Sequence, residues 1–178
     1  MSRQRTLSPR RGARFGVTLI VTLLATSLSG AVAAAQGSNQ TSRVDVTVTL
    51  TSKQTVLTQV GRGGTITYGW NQLTGTSDTP SGTTSVELLG NVDYTNGSGR
   101  FFGFLTLKFA SLSTVGFLVE GKASKQADGV TKLKAALKVI GGNAAFTGAT
   151  GAGSFTGTRA AALGSPIQIT IKAAVRLR

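Results

Sequence analysis

The chain has 178 residues, 19 Lys and Arg against 6 Asp and Glu, no His and no Cys. Without Cys there is no disulfide, thiolate chemistry or lipid attachment through an N-terminal Cys, and without His the commonest proton shuttle is missing. Five of the arginines (Arg3, Arg5, Arg10, Arg11, Arg14) stand at the start, so residues 36–178 keep 14 basic against 6 acidic residues, a net charge of +8.

The first 35 residues predict an address rather than a fold. The basic start is followed by the apolar run "FGVTLIVTLLATSL" (15–28) and by "AVAAAQ", an A-x-A site. That is the layout of a secretory signal peptide cleaved after Ala35, and it predicts a secreted, extracytoplasmic protein. A membrane anchor is the competing reading, although the run is shorter than the ~20 residues a spanning helix needs. Arg10-Arg11 is a weak hint of twin-arginine export. Residues 36–43 read as a short linker and 44–178 as one domain, long enough for a real core.

From there, period-2 alternation replaces any helical signal. In "RVDVTVTLT" (43–51) Val44, Val46, Val48 and Leu50 alternate with Asp45 and threonines. Further strands are expected near 65–72, 84–95, 100–110, 114–123, 130–141 and 149–159. The last, "PIQITIKAAVRL" (166–177), again has one apolar and one wet face. "DTPSG" (78–82), "NGSG" (96–99), "ADG" (127–129) and "GSP" (164–166) supply turns. Eight strands joined as successive hairpins predict an all-β, antiparallel up-and-down barrel, whose closure removes aggregation-prone edges.

With Val44, Ile66, Val86, Leu105, Val119 and Leu137 facing inward, Asp45, Glu87, Asp93 and Glu120 face solvent, and Asp78 and Asp128 fall in turns. An outward carboxylate is poorly placed for acid–base work or for a metal cluster, so no catalytic residue, metal or cofactor is expected. The inward parity also holds Tyr68, Trp70, Tyr94, Phe101, Phe109, Phe117 and Phe155. These rings either fill the barrel or line a cavity for one small ligand. Phe102 and Phe104 have outward parity. With Leu118 they predict a subunit interface, the alternative being cover by the Gly-rich 71–83 segment. Lys132, Lys134 and Lys138 share an outer face without interleaved aromatics. That argues against nucleic acid and for a solvated face with some attraction to anionic envelope polymers.

The glycine-rich stretch "VIGGNAAFTGATGAGSFTG" (139–157) fails the phosphate-loop templates. Ser154 stands where a Walker lysine must be, and no amphipathic helix or later acid completes a dinucleotide fingerprint. Parity gives a better account, with Gly151, Gly153, Phe155 and Gly157 on one face. Such a face either relieves crowding as the sheet closes or leaves room for a ligand.

"GGNAAFTGATGAG", with "GSGRFFGFLTLKF" and "STVGFLVEGKAS" upstream, resembles the signature of the allene oxide cyclase and dirigent barrel superfamily across residues 84–160. The resemblance implies a bacterial secreted member, an eight-stranded barrel with an apolar cavity, and assembly as trimers. No catalytic residue carries over. Nothing in 44–70 matches the acidic, Asn- and Pro-bearing cyclase strand, the closest acid is Asp45, and paired cavity aspartates are lacking. The expected role is a secreted barrel that binds a small apolar or aromatic molecule through Tyr68, Trp70, Tyr94, Phe117, Phe155, Gly151 and Gly153, or that serves as a structural protein. A cyclase or isomerase acting by confinement of a reactive apolar substrate is the alternative.

Overall fold

A computed structural model describes residues 40–160 and 162–178. The signal segment, its cleavage site and the competing anchor lie outside the described residues. Eight antiparallel strands close in sequence order into a barrel: β1 (Thr41–Val60), β2 (Ile66–Thr79), β3 (Gly82–Thr95), β4 (Ser98–Lys108), β5 (Thr114–Lys125), β6 (Thr131–Asn143), β7 (Thr150–Arg159) and β8 (Ile167–Arg176). The expected up-and-down barrel is the observed fold, and its first strand begins at Thr41, inside the stretch expected as linker.

Closure follows from alternation at the two ends of the sequence. Val44, Val46, Val48 and Leu50 pair with Ala173, Ile171, Ile169 and Ile167, all pointing inward and all buried. The outward partners are polar: Thr47 and Thr170 share a hydroxyl hydrogen bond at 3.0 Å, and Lys172 donates to Asp45 at 2.9 Å. Both members of the Lys172–Asp45 pair are mostly exposed, so its contribution is small. The β3–β4 hairpin turns on Asn96-Gly97, both at positive φ, the conformation that matches the twist of the flanking strands.

β1 and β2 are longer than the sequence suggested. The alternation of β1 lapses at a bulge between Ser52 and Gln54, and the strand then runs on to Val60. This second half pairs with β2 while β8 stops opposite Leu50, so it stands as an arm beyond the barrel wall. The Gly-rich 71–83 segment, the alternative cover for Phe102 and Phe104, is a hairpin in which Thr79 pairs with Gly82. It is barrel wall and cannot cover Phe102 or Phe104.

The middle of the barrel is solid. Leu50, Leu105, Leu107, Val115, Phe117 and Ile171 have no exposed surface. One end is shut as well. The β6–β7 connection carries Phe146 in a 3-10 turn (Ala144–Phe146), and its ring stacks on Phe109 at 5.3 Å. This gives the "GGNAAF" stretch its packing role. A Cβ at Gly142 would stand 2.0 Å from the Thr114 carbonyl and 2.8 Å from the Phe146 Cβ, so the turn folds down only because that atom is absent.

Candidate functional site

The opposite end is open. It is bounded by the end of β3, the start of β6, the end of β7 and the β7–β8 connection. Two side chains define it. Tyr94 is 3% exposed and inward, as expected; Arg159, at the last position of β7, is 5% exposed and also inward. The inward parity of Gly151, Gly153, Phe155 and Gly157 runs on to Arg159, and this was the signal that could have found it: a cation on the lumen side of a strand. The guanidinium donates to Thr131 Oγ1 at 3.3 Å and lies 5.9 Å from the Tyr94 ring centroid. Burial pushes the Tyr94 phenol above its usual value, while the charge of Arg159 and its hydrogen bond pull part of the way back. Tyr94 is therefore a neutral phenol at physiological pH.

Below this pair lies a cavity of about 50 Å³, lined by Leu73, Leu88, Val92, Phe101, Leu133 and Phe155 with Tyr94 and Arg159. Its floor is the Phe101–Phe155 contact, with centroids 5.4 Å apart. Above it a groove of about 420 Å³ takes in Gln59, Thr67, Lys125 and Thr131, again with Tyr94 and Arg159. Leu163, from the β7–β8 connection, borders both. That connection is pinned to the arm through a polar relay. Asn71, buried on β2, accepts from Thr55 at 2.9 Å and donates to Ser52 at 2.8 Å, and Ser52 donates to the Gly164 carbonyl at 3.2 Å.

The residues expected to bind ligand are only partly brought together. Tyr94 and Phe155 line the cavity. Phe117 is inward but sits in the solid core, away from it. Gly151 and Gly153 do not provide space. A Cβ at Gly151 would stand 2.1 Å from the Ala174 carbonyl, and one at Gly153 would stand 2.3 Å from the Lys172 carbonyl, so their bareness serves the close approach of β8. Tyr68 and Trp70 are on the outer wall, with Tyr68 53% exposed. The two-residue hairpin at Pro80-Ser81 fixes this: it places Leu73 opposite Leu88 and Tyr68 opposite the outward Asp93. Ile66, expected inward, shares their outer face, and Thr67, Gly69 and Asn71 take the inner one.

Asp45, Glu87, Asp93 and Glu120 stand on the outer wall as expected, while Asp78, expected in a turn, lies within β2 opposite Thr83 because the turn is only two residues long. Asp45, Asp93 and Glu120 are exposed on the outer wall, and Glu87 accepts there from Gln72 Nε2. Among the described residues no group of three or more Asp and Glu could hold a metal ion. Comparison with protein-family models, with curated proteins and with solved structures finds no match.

Proposed function

We propose that this barrel is a binding protein that holds a small apolar or aromatic molecule at its open end, with an acidic group of that molecule set against Arg159. One observation carries the reading: Tyr94, Arg159 and Leu163 line both the apolar cavity and the polar groove above it. A ligand spanning the two puts a ring edge or short alkyl end against Phe101, Phe155 and Leu133. Its polar end then meets the guanidinium and the Tyr94 hydroxyl. Arg presents five N–H donors in a planar fork that suits a carboxylate, and the Thr131 hydroxyl takes one of those donors here. Lys125 on the groove wall adds a second positive charge for an approaching anion. The signal segment read in the first 35 residues supports an extracytoplasmic place of work.

A cyclase working by confinement must enclose its substrate on all sides, whereas the cavity and the groove above it both open to solvent. Binding is the better-supported reading. The order of glycines and phenylalanines that resembles the allene oxide cyclase and dirigent superfamily is accounted for by packing, through Gly142, Phe146, Gly151 and Gly153. It supports a shared barrel design more than a shared reaction.

Calorimetry with matched ligands tests the proposal: phenylacetic acid, its methyl ester and toluene, each against the wild type and Arg159→Gln. The acid is expected to bind at least about tenfold more tightly than the ester, a difference of about 1.4 kcal/mol, and Arg159→Gln to remove that preference. Equal affinities for acid and ester, or no binding by any of them, would contradict it.

A further inference from the structure

We infer that Gly90 sets what the open end accepts, and that the molecule held there is an aromatic acid whose flat ring lies against the bare peptide of Gly90. The inference rests on the reading of Arg159 given above and adds the shape of the ligand to its charge. Gly90 is on the lumen side of β3, in step with Val86, Leu88, Val92 and Tyr94. Those four are all buried, whereas Gly90 between them is only half-buried. Its partners in register are Asn71 on β2 and Gly103 on β4, so this row of the wall carries no apolar side chain. The surface left open belongs to the cavity, which Gly90 lines together with Phe101, Phe155 and Arg159.

Packing does not call for glycine here. A Cβ at Gly90 would meet only the Leu88 Cγ, at 3.9 Å, an ordinary contact, and the φ of Gly90 is not positive. At every other glycine among the described residues, either φ is positive or a Cβ would stand 3.3 Å or less from a neighbour. Gly103 shows the contrast, because a Cβ there would lie 1.9 Å from the Leu89 carbonyl. Glycine inside a strand weakens it, through backbone entropy and the loss of a side chain to pack. Where no close approach of backbone needs it, the bareness keeps space for something else. That space is one residue wide, and two phenyl rings, Phe101 and Phe155 with centroids 5.4 Å apart, line the same cavity. An aromatic ring offers a flat apolar face to peptide and phenyl alike. A saturated ring carries hydrogens on every side and is too thick for the same slot.

The test is calorimetry with phenylacetate and cyclohexylacetate, which share charge and carbon skeleton and differ in flatness. Each is titrated into the wild type, Gly90→Ala and Gly90→Val, and the urea unfolding of all three is followed. The wild type is expected to hold phenylacetate at least about tenfold more tightly than cyclohexylacetate. Gly90→Ala should weaken phenylacetate by at least about threefold and Gly90→Val by at least about tenfold. The urea midpoint of Gly90→Ala should equal or exceed that of the wild type, since the new methyl enters open space. If Gly90→Val fails to fold, Gly90→Ala decides. Equal affinity for the two acids, or phenylacetate affinity unchanged by the substitutions, overturns the inference and leaves the role of Arg159 standing. A lower urea midpoint in Gly90→Ala overturns it too, because packing then requires the glycine. A wild type that takes neither acid overturns the reading of Arg159 and this inference together.

Discussion

At one end of the barrel Phe109 and Phe146 stack and the β6–β7 connection folds over the core; at the other, Tyr94 and Arg159 stand around a small void. Among the described residues the closed end buries no charged side chain, and its buried polar groups are the hydroxyls of Thr84 and Ser113. The open end keeps a cation nearly out of water, hydrogen-bonded to Thr131 and beside the Tyr94 ring. The apolar packing of one end and the proposed binding site at the other lie apart along the barrel axis. Substitutions at the two ends should therefore fail in different ways.

The largest effect is expected away from both ends, where closure itself is at stake. Gly153→Val places a Cβ against the backbone of β8. It should lower unfolding free energy by at least about 3 kcal/mol in urea titrations, or prevent folding. Next comes the closed end. Phe146→Ala removes a buried ring and its stack on Phe109, costing about 3 kcal/mol with no change in ligand affinity. At the open end the order reverses. Arg159→Met should lower stability by only about 1–2 kcal/mol, the cost of leaving the Thr131 and Tyr94 hydroxyls without their buried donor. It should nevertheless abolish the preference for acidic ligands.

A smaller effect tests Tyr94. Its folded-state value is raised by burial, so the stability it contributes is fully present below the ordinary tyrosine value of about 10 and is lost as pH rises through the folded value. Tyr94→Phe should flatten the loss of stability seen above about pH 10, measured as the wild-type-minus-variant difference. The smallest effect belongs to the lysine wall. Replacing Lys132, Lys134 and Lys138 with Gln should alter stability by less than about 0.5 kcal/mol and leave the contrast between the ends intact.

How far the sequence led depended on whether a strand has one wet face. β6 and β8 alternate cleanly between Lys or Gln and Leu, Ile or Val, and their orientation could be read directly. In "ITYGW" the large apolar side chains alternate with Thr and Gly, so size alone pointed them inward. The tertiary register of the tight β2–β3 hairpin turned them out. Asp93 was already placed on the outer face, and counting back through the Pro80-Ser81 turn would have put Tyr68 beside it. The arm was hidden for another reason: one bulge after Ser52 breaks the period, and "KQTVLTQV" no longer looks like a strand. Arg159 has plain inward parity, but a cation at the last position of a strand reads as an end that reaches solvent, and only the β7–β8 connection and Tyr94 bury it.

An acidic ligand held at the open end must meet the Arg159 guanidinium. The most direct measurement is the side-chain Nε–Hε resonance of Arg159, followed by NMR as phenylacetate is added. The resonance should shift with the Leu163 methyls in one saturable process, while signals from Phe109 and Phe146 stay in place. An Arg159 resonance that does not move while ligand saturates the protein would place binding elsewhere and contradict the account.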